Sequence, residues 1–80
     1  MTITVLLFAS YADALGRRSI DVDLPDGAAV GDLVAALRAL PGAGQLPARP
    51  LVAINERYAR FDAVVSPRDE VAIIPPVAGG

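Results

Sequence analysis

The residue types that ordinarily carry catalysis are nearly all missing from this chain. It holds no Cys, no His and no Lys, which removes thiolate nucleophiles, imidazole bases, Schiff-base amines and almost every metal-site composition. Ser10, Ser19 and Ser66 have no base to activate them. Among the acids, Asp21 and Asp23 alternate with Ile20, Val22 and Leu24, and Asp69-Glu70 belongs to a turn, so both sets read as solvated surface rather than a general acid/base pair. Gly16, Gly27, Gly31, Gly42 and Gly44 lack a phosphate-loop spacing, and no lysine follows any of them. What remains is the chain end, Pro75-Pro76-Val77-Ala78-Gly79-Gly80. Its prolines favour an extended lead-in of about 3.1 Å per residue, which lowers the entropy lost on insertion into a partner. Gly79 and Gly80 leave a narrow end whose carboxylate no side chain crowds. A carboxylate is a poor electrophile, and a partner enzyme must convert it to an acyl phosphate-type anhydride such as an adenylate before sulfur can attack. The plain alternative is a frayed terminus.

Such a tail needs a scaffold, and the patterning supplies one. Thr2 to Ala9 alternates Ile3, Val5 and Leu7 on one face, with Leu6 and Phe8 making the other face apolar near the end, which predicts a strand covered on both sides there. Ser10 to Leu15 is a short helical turn stopped by Gly16, and Arg18 to Leu24 is a strand with one wet face, ended by the turn Pro25-Asp26-Gly27. Apolar residues at 30, 33, 34, 37 and 40, with Asp32 in the first turn and Arg38 in the last, predict the main helix. Ala29 stands where a hydroxyl cap belongs, so the helix start is expected to fray. Pro41-Gly42 stops it, and Ala43 to Pro50 reads as an irregular loop. Leu51 to Ile54 is a short strand, Asn55-Glu56 a turn, and Tyr58 to Phe61 a return strand. Ser66-Pro67-Arg68-Asp69 fits a type I turn before Val71 to Ile74, a central strand that Pro75 must end. The order predicts an α+β domain over residues 1–74, with a helix across one face of a mixed sheet, and a flexible tail over 75–80.

Composition agrees. Eighty residues make one small domain, and a hydrophobic share of 54% with mean hydropathy +0.48 argues against disorder. No apolar run approaches the roughly 20 residues of a membrane span, and the chain opens on strand-like alternation rather than a signal peptide, so a soluble cytoplasmic protein without a membrane partner is expected. Seven arginines scattered among nine acids give a net charge of -2, which disfavours nucleic acid.

In Leu6-Leu7-Phe8-Ala9, Leu15-Gly16, Val30-Gly31-Asp32-Leu33, Val52-Ala53-Ile54-Asn55, Phe61-Asp62, and above all Asp69 through Gly80, the chain resembles the ubiquitin-like sulfur carriers, most closely the molybdopterin synthase small-subunit (MoaD) family within the MoaD/ThiS superfamily. The resemblance spans essentially the whole chain. It implies a β-grasp fold of about four to five strands, with first and last strands adjacent and parallel. It also implies that a ubiquitin-activating-like adenylyltransferase activates Gly80 with ATP, that a sulfur donor protein then yields a terminal thiocarboxylate, and that the tail enters the large synthase subunit to supply the dithiolene sulfur of molybdopterin. The carrier would hold no permanent cofactor and would not be an enzyme by itself. Carried over by position, Phe8, Tyr58 and Ile74 fall where such a subunit meets its partners, the alternative being that they fill the core. Ala12, Ala29 and Arg68 depart from the family's usual residues. Carriers for thiamine, cysteine or tRNA thiolation, and ubiquitin-like modifiers joined to lysines of other proteins, share this tail chemistry.

Overall fold

The computed structural model describes residues 1–75; the tail assigned to Pro76, Val77, Ala78, Gly79 and Gly80 lies outside the described residues. In chain order the elements are β1 (Thr2–Leu7), α1 (Ala9–Leu15), β2 (Ser19–Asp23), α2 (Val30–Arg38), a 3-10 turn (Ala43–Gln45), β3 (Leu51–Ile54), β4 (Arg57–Tyr58) and β5 (Val71–Ile74). The five strands form one mixed sheet in the order β2-β1-β5-β3-β4. β1 and β5 run parallel at its centre, with Leu6 beside Ala72 and Leu7 beside Ile73, while β2 and β3 flank them antiparallel. The expected adjacency of first and last strands is therefore present, and the fold is the β-grasp.

The alternation read from the sequence decides which face is dry. Ile3, Val5 and Leu7 of β1, Ile20 and Val22 of β2, Val52 of β3 and Val71 and Ile73 of β5 all bury, and they share one cluster with Val30, Leu33, Val34 and Leu37 of α2. Those four residues form the apolar stripe of a helix laid on that face. Loops complete the core. Tyr11 from α1 and Ala43 and Leu46 around the 3-10 turn are buried in the same cluster, so the first half of the expected loop, 43–46, is a structured part of the core, while 47–50 is irregular as expected. Gly42 makes this possible. Its φ of +87° suits glycine, and an added Cβ would lie 2.9 Å from the Ala14 carbonyl oxygen.

Four local expectations change. The turn after β1 is a seven-residue helix that starts at Ala9 and ends, as expected, at the left-handed Gly16. The return strand is only Arg57–Tyr58, because the Ala59 N–H makes one last bond to the Val52 carbonyl (2.8 Å) and the chain then turns away. The end of β1 is not covered on both sides: Leu6 is half-buried and Phe8 is exposed. Finally, the start of α2 is tied down without a hydroxyl cap. The Asp32 carboxylate accepts from the Ala29 N–H at 2.9 Å, while the N–H groups of Val30 and Gly31 donate to the carbonyls of Ala63 and Phe61 at 2.8 and 2.9 Å. Tertiary partners thus satisfy donors that a helix start ordinarily leaves open. The predicted turn at Ser66 forms, with Asp69 N–H to the Ser66 carbonyl at 3.0 Å.

Candidate functional site

α2 covers one face of the sheet, and no described element packs on the other. Side-chain alternation places Leu6, Ala72, Ala53, Leu51 and Ile74 on that second face, and the register assembles them: Leu6 beside Ala72, Ala72 beside Ala53, Ala53 beside Tyr58, and Leu51 beside Ile74. Ala53 and Ala72 are buried yet lie outside the helix-side cluster, forming a flat floor between larger neighbours. Around it stand Phe8 at 48% exposure, Leu51 at 49% and Tyr58 at 73%, with Ile74 half-buried. Phe8 lies one residue past β1, and its extended backbone (φ -126°, ψ 152°) continues the alternation that turns Leu6 to this side.

The three residues singled out as docking positions therefore share one face. Phe8 and Ile74 follow the paired residues Leu7 and Ile73, so they stand at the same end of adjacent central strands, and Tyr58 lies two strands away across Ala53. None of the three belongs to the buried helix-side cluster. Leu51 was missed because Leu51 to Ile54 is apolar at every position, and a continuous apolar run does not reveal which residues face which way. Once the register is known, its place opposite Ile74 is unambiguous. Beside this patch an open depression of about 480 Å³ runs between β1 and α1, lined by Leu6, Phe8, Ala9, Ala12 and Arg18 among others.

Several of the remaining polar groups are engaged structurally. Asp21 and Asp23 accept hydroxyl hydrogen bonds from Thr4 and Thr2 at 2.7 and 2.8 Å on the β1–β2 half of the second face. Asp69 accepts from the Asn55 side-chain amide at 3.1 Å and the Ser66 N–H at 3.0 Å, and the Glu70 N–H donates to the Asn55 side-chain carbonyl at 2.9 Å, a clasp between the β3–β4 turn and the start of β5. A second depression, of about 490 Å³, lies among Arg49, Arg60, Phe61 and Asp62, where Arg60 pairs with Asp62 at 3.1 Å and the Arg49 guanidinium stacks 4.6 Å from the Phe61 ring centroid. Among the described residues no group of three His, Cys, Asp or Glu is placed to hold a metal ion, and no helix is long and apolar enough to cross a membrane. The second face presents exposed apolar side chains, and β5, which contributes to it, ends at Ile74.

Comparison with known proteins places this geometry. A family model described as the ThiS family matches residues 5–80. The molybdopterin synthase sulfur carrier subunit of Arabidopsis thaliana is 34% identical over 79 residues, covering 98% of this chain and 82% of that one. Small archaeal modifier protein 1 of Haloferax volcanii is 36% identical over 86 residues, covering 92% of this chain and 95% of the relative. The crystal structure of SAMP1 from Haloferax volcanii superimposes with a TM-score of 0.82 at 31% identity, covering all of both chains.

Proposed function

The chain belongs to the ThiS family, and from that premise we propose that it is a sulfur carrier that serves molybdenum cofactor biosynthesis as the small subunit of a molybdopterin synthase. Gly80 is its reacting residue. The terminal carboxylate attacks the α-phosphate of ATP in an adenylyltransferase of the ubiquitin-activating type, forming an acyl adenylate with loss of pyrophosphate. Hydrosulfide delivered by a donor protein then attacks the carbonyl carbon and displaces AMP, leaving a thiocarboxylate. In the synthase large subunit that terminus gives up its sulfur for the dithiolene and, with water supplying the oxygen, returns to the carboxylate. ATP belongs to the activating partner, and the chain's own contribution is presentation. Phe8, Ile74 and Tyr58, with Leu51, dock the second face, while Pro75 through Gly79 guide the end into a narrow site. The cytoplasm, where ATP is available, is the proposed location.

The observation that carries this reading is the strand from which the tail departs. β5 is the central strand, between β1 and β3, so the chain leaves the sheet at Ile74 beside the uncovered apolar patch rather than at an unrelated edge. A partner that grips the patch lies next to the reacting end. The Arabidopsis relative, named as a sulfur carrier subunit of molybdopterin synthase, supports the pathway.

A second reading has specific support: the relative at 36% identity named a small archaeal modifier protein. On that reading the activated Gly80 is captured by a lysine of a target protein. The chain's own lack of lysine prevents chains of itself joined through lysine.

Intact-mass measurement of the protein purified from its native host separates the two. A carrier gains the mass difference between sulfur and oxygen at its terminus, whereas a population found only in covalent conjugates defeats the carrier reading. For the pathway, deletion of Gly80 abolishes molybdoenzyme activity in the host. Normal activity, with no redundant homologue, moves the protein to another thiolation pathway.

A further inference from the structure

The sheet has two edges, and they are not alike. β4 is two residues long and offers a partner almost nothing to pair with. β2 is five residues, Ser19–Asp23, with neither proline nor a bulge, so of the devices that blunt an edge it carries only charged side chains, Asp21 and Asp23. Its hydrogen bonds to β1 show which backbone groups are spent. Leu7 N–H donates to the Arg18 carbonyl at 2.8 Å, and Met1 and Leu24 bond each other in both directions at 2.7 and 2.8 Å. In this antiparallel register the bonded pairs are therefore Met1 with Leu24, Ile3 with Val22, Val5 with Ile20 and Leu7 with Arg18. The N–H and C=O groups of Ser19, Asp21 and Asp23 point away from the sheet, toward solvent.

The side chains on the same three residues determine what can add to that edge. Ile20 and Val22 point into the core, whereas Ser19, Asp21 and Asp23 stand on the second face. The Thr4 and Thr2 hydroxyls donate to Oδ1 of Asp21 and Asp23 at 2.7 and 2.8 Å. This holds two carboxylates two residues apart along the strand, each with an Oδ2 that no described residue bonds. A second copy is a poor occupant. Antiparallel pairing of β2 with itself sets Asp21 against Asp21 or, shifted by two, Asp21 against Asp23, and like charges directly opposite each other oppose pairing; the opposite shift sets Asp21 against Ser19 but pairs only Ser19, Ile20 and Asp21 of each copy.

We propose that the outer edge of β2 is a docking site for an extended segment of a partner protein that carries basic residues at alternate positions and adds as a sixth strand. The backbone groups of Ser19, Asp21 and Asp23 supply the ladder, and Asp21 and Asp23 select cations that point to the second face. With only β1 between β2 and the tail-bearing β5, the edge lies roughly 10 Å from that strand. A single partner can hold both. The site is independent of the fate of Gly80, since a carrier and a modifier present the same edge.

The test uses the full chain, labelled with ¹⁵N, titrated with a capped five-residue peptide of sequence Val-Arg-Val-Arg-Val and with its glutamate counterpart. The arginine peptide shifts the amide resonances of Ser19, Asp21 and Asp23 and slows their hydrogen exchange. The glutamate peptide binds at least about tenfold more weakly, a difference near 1.4 kcal/mol. Asp21→Asn combined with Asp23→Asn, which keeps an acceptor for each threonine hydroxyl, brings the two peptides to similar affinity. Equal binding of both peptides to the unaltered chain, an arginine peptide that leaves the three edge amides unmoved, or self-association of the chain through β2 would each overturn the proposal.

Discussion

Replacing Tyr58 with alanine separates docking from folding more cleanly than any other change to the second face. The side chain is 73% exposed and lies outside the helix-side cluster. An aromatic side chain offers about 150–250 Å², so roughly 110–180 Å² of this one is free to be covered by a partner. At ~25 cal/mol per Å² that is about 3–4.5 kcal/mol. Association does not realise area at the full rate, because ordering and imperfect desolvation oppose it, so the expected loss is about 2 kcal/mol, near thirtyfold in Kd. The cost to the fold is smaller. Tyr58 pairs across the sheet with Ala53 alone, a contact of the class that contributes about 0.2–1 kcal/mol. Calorimetric titration against the molybdopterin synthase large subunit, alongside thermal melts, measures both quantities. Leu33→Ala is the folding control, since Leu33 is wholly buried and its truncation costs about 2–5 kcal/mol. The reasoning fails if Tyr58→Ala binds within about twofold of the unaltered chain. It fails equally if its melting temperature drops as far as that of Leu33→Ala.

Two further substitutions address the scaffold. Asn55 and Glu56 have φ of +53° and +70°, so the β3–β4 hairpin uses a turn that favours glycine at its second central position; Glu56→Gly removes a left-handed penalty and is expected to stabilise by about 1 kcal/mol, raising the melting temperature by about 4–8 °C. A lower melting temperature would show that the Glu56 side chain outweighs its backbone strain. Asp32→Ala removes the carboxylate that accepts from the Ala29 N–H and is expected to lose about 0.5–2 kcal/mol, read as a lower urea midpoint at unchanged slope. An unchanged midpoint would mean that Ala63 and Phe61 hold the helix start unaided.

Much of the architecture was legible because the chain's periodicities are clean. Ile20, Val22 and Leu24 against Ser19, Asp21 and Asp23 can only be a strand with one wet face, and the spacing from Val30 to Leu37 can only be a helix with one dry stripe. Errors cluster where the deciding contact is distant in sequence. The start of α2 looked uncapped because its partners, Phe61 and Ala63, arrive from a loop some thirty residues later. The stretch 43–46 does not read as core in the sequence because Ala43 and Leu46 reveal themselves only against α1 and α2. The length of β4 is set by where the chain leaves Val52, which no local propensity records.

The candidate site divides along the same line. Absence of Cys, His and Lys, and a terminal Gly-Gly behind two prolines, are properties of composition and order, so the proposed seat of chemistry is read from the sequence alone. The proposed docking surface is not. Phe8, Leu51, Tyr58 and Ile74 lie far apart along the chain, and only the parallel pairing of β1 with β5, and the antiparallel pairing of β3 with both β5 and β4, bring them onto one face. The open edge of β2 is likewise a fact of strand order, because a strand's outward hydrogen-bonding groups stay free only when the sheet ends there. Local pattern tells which residues alternate; pairing between distant segments decides what they stand beside.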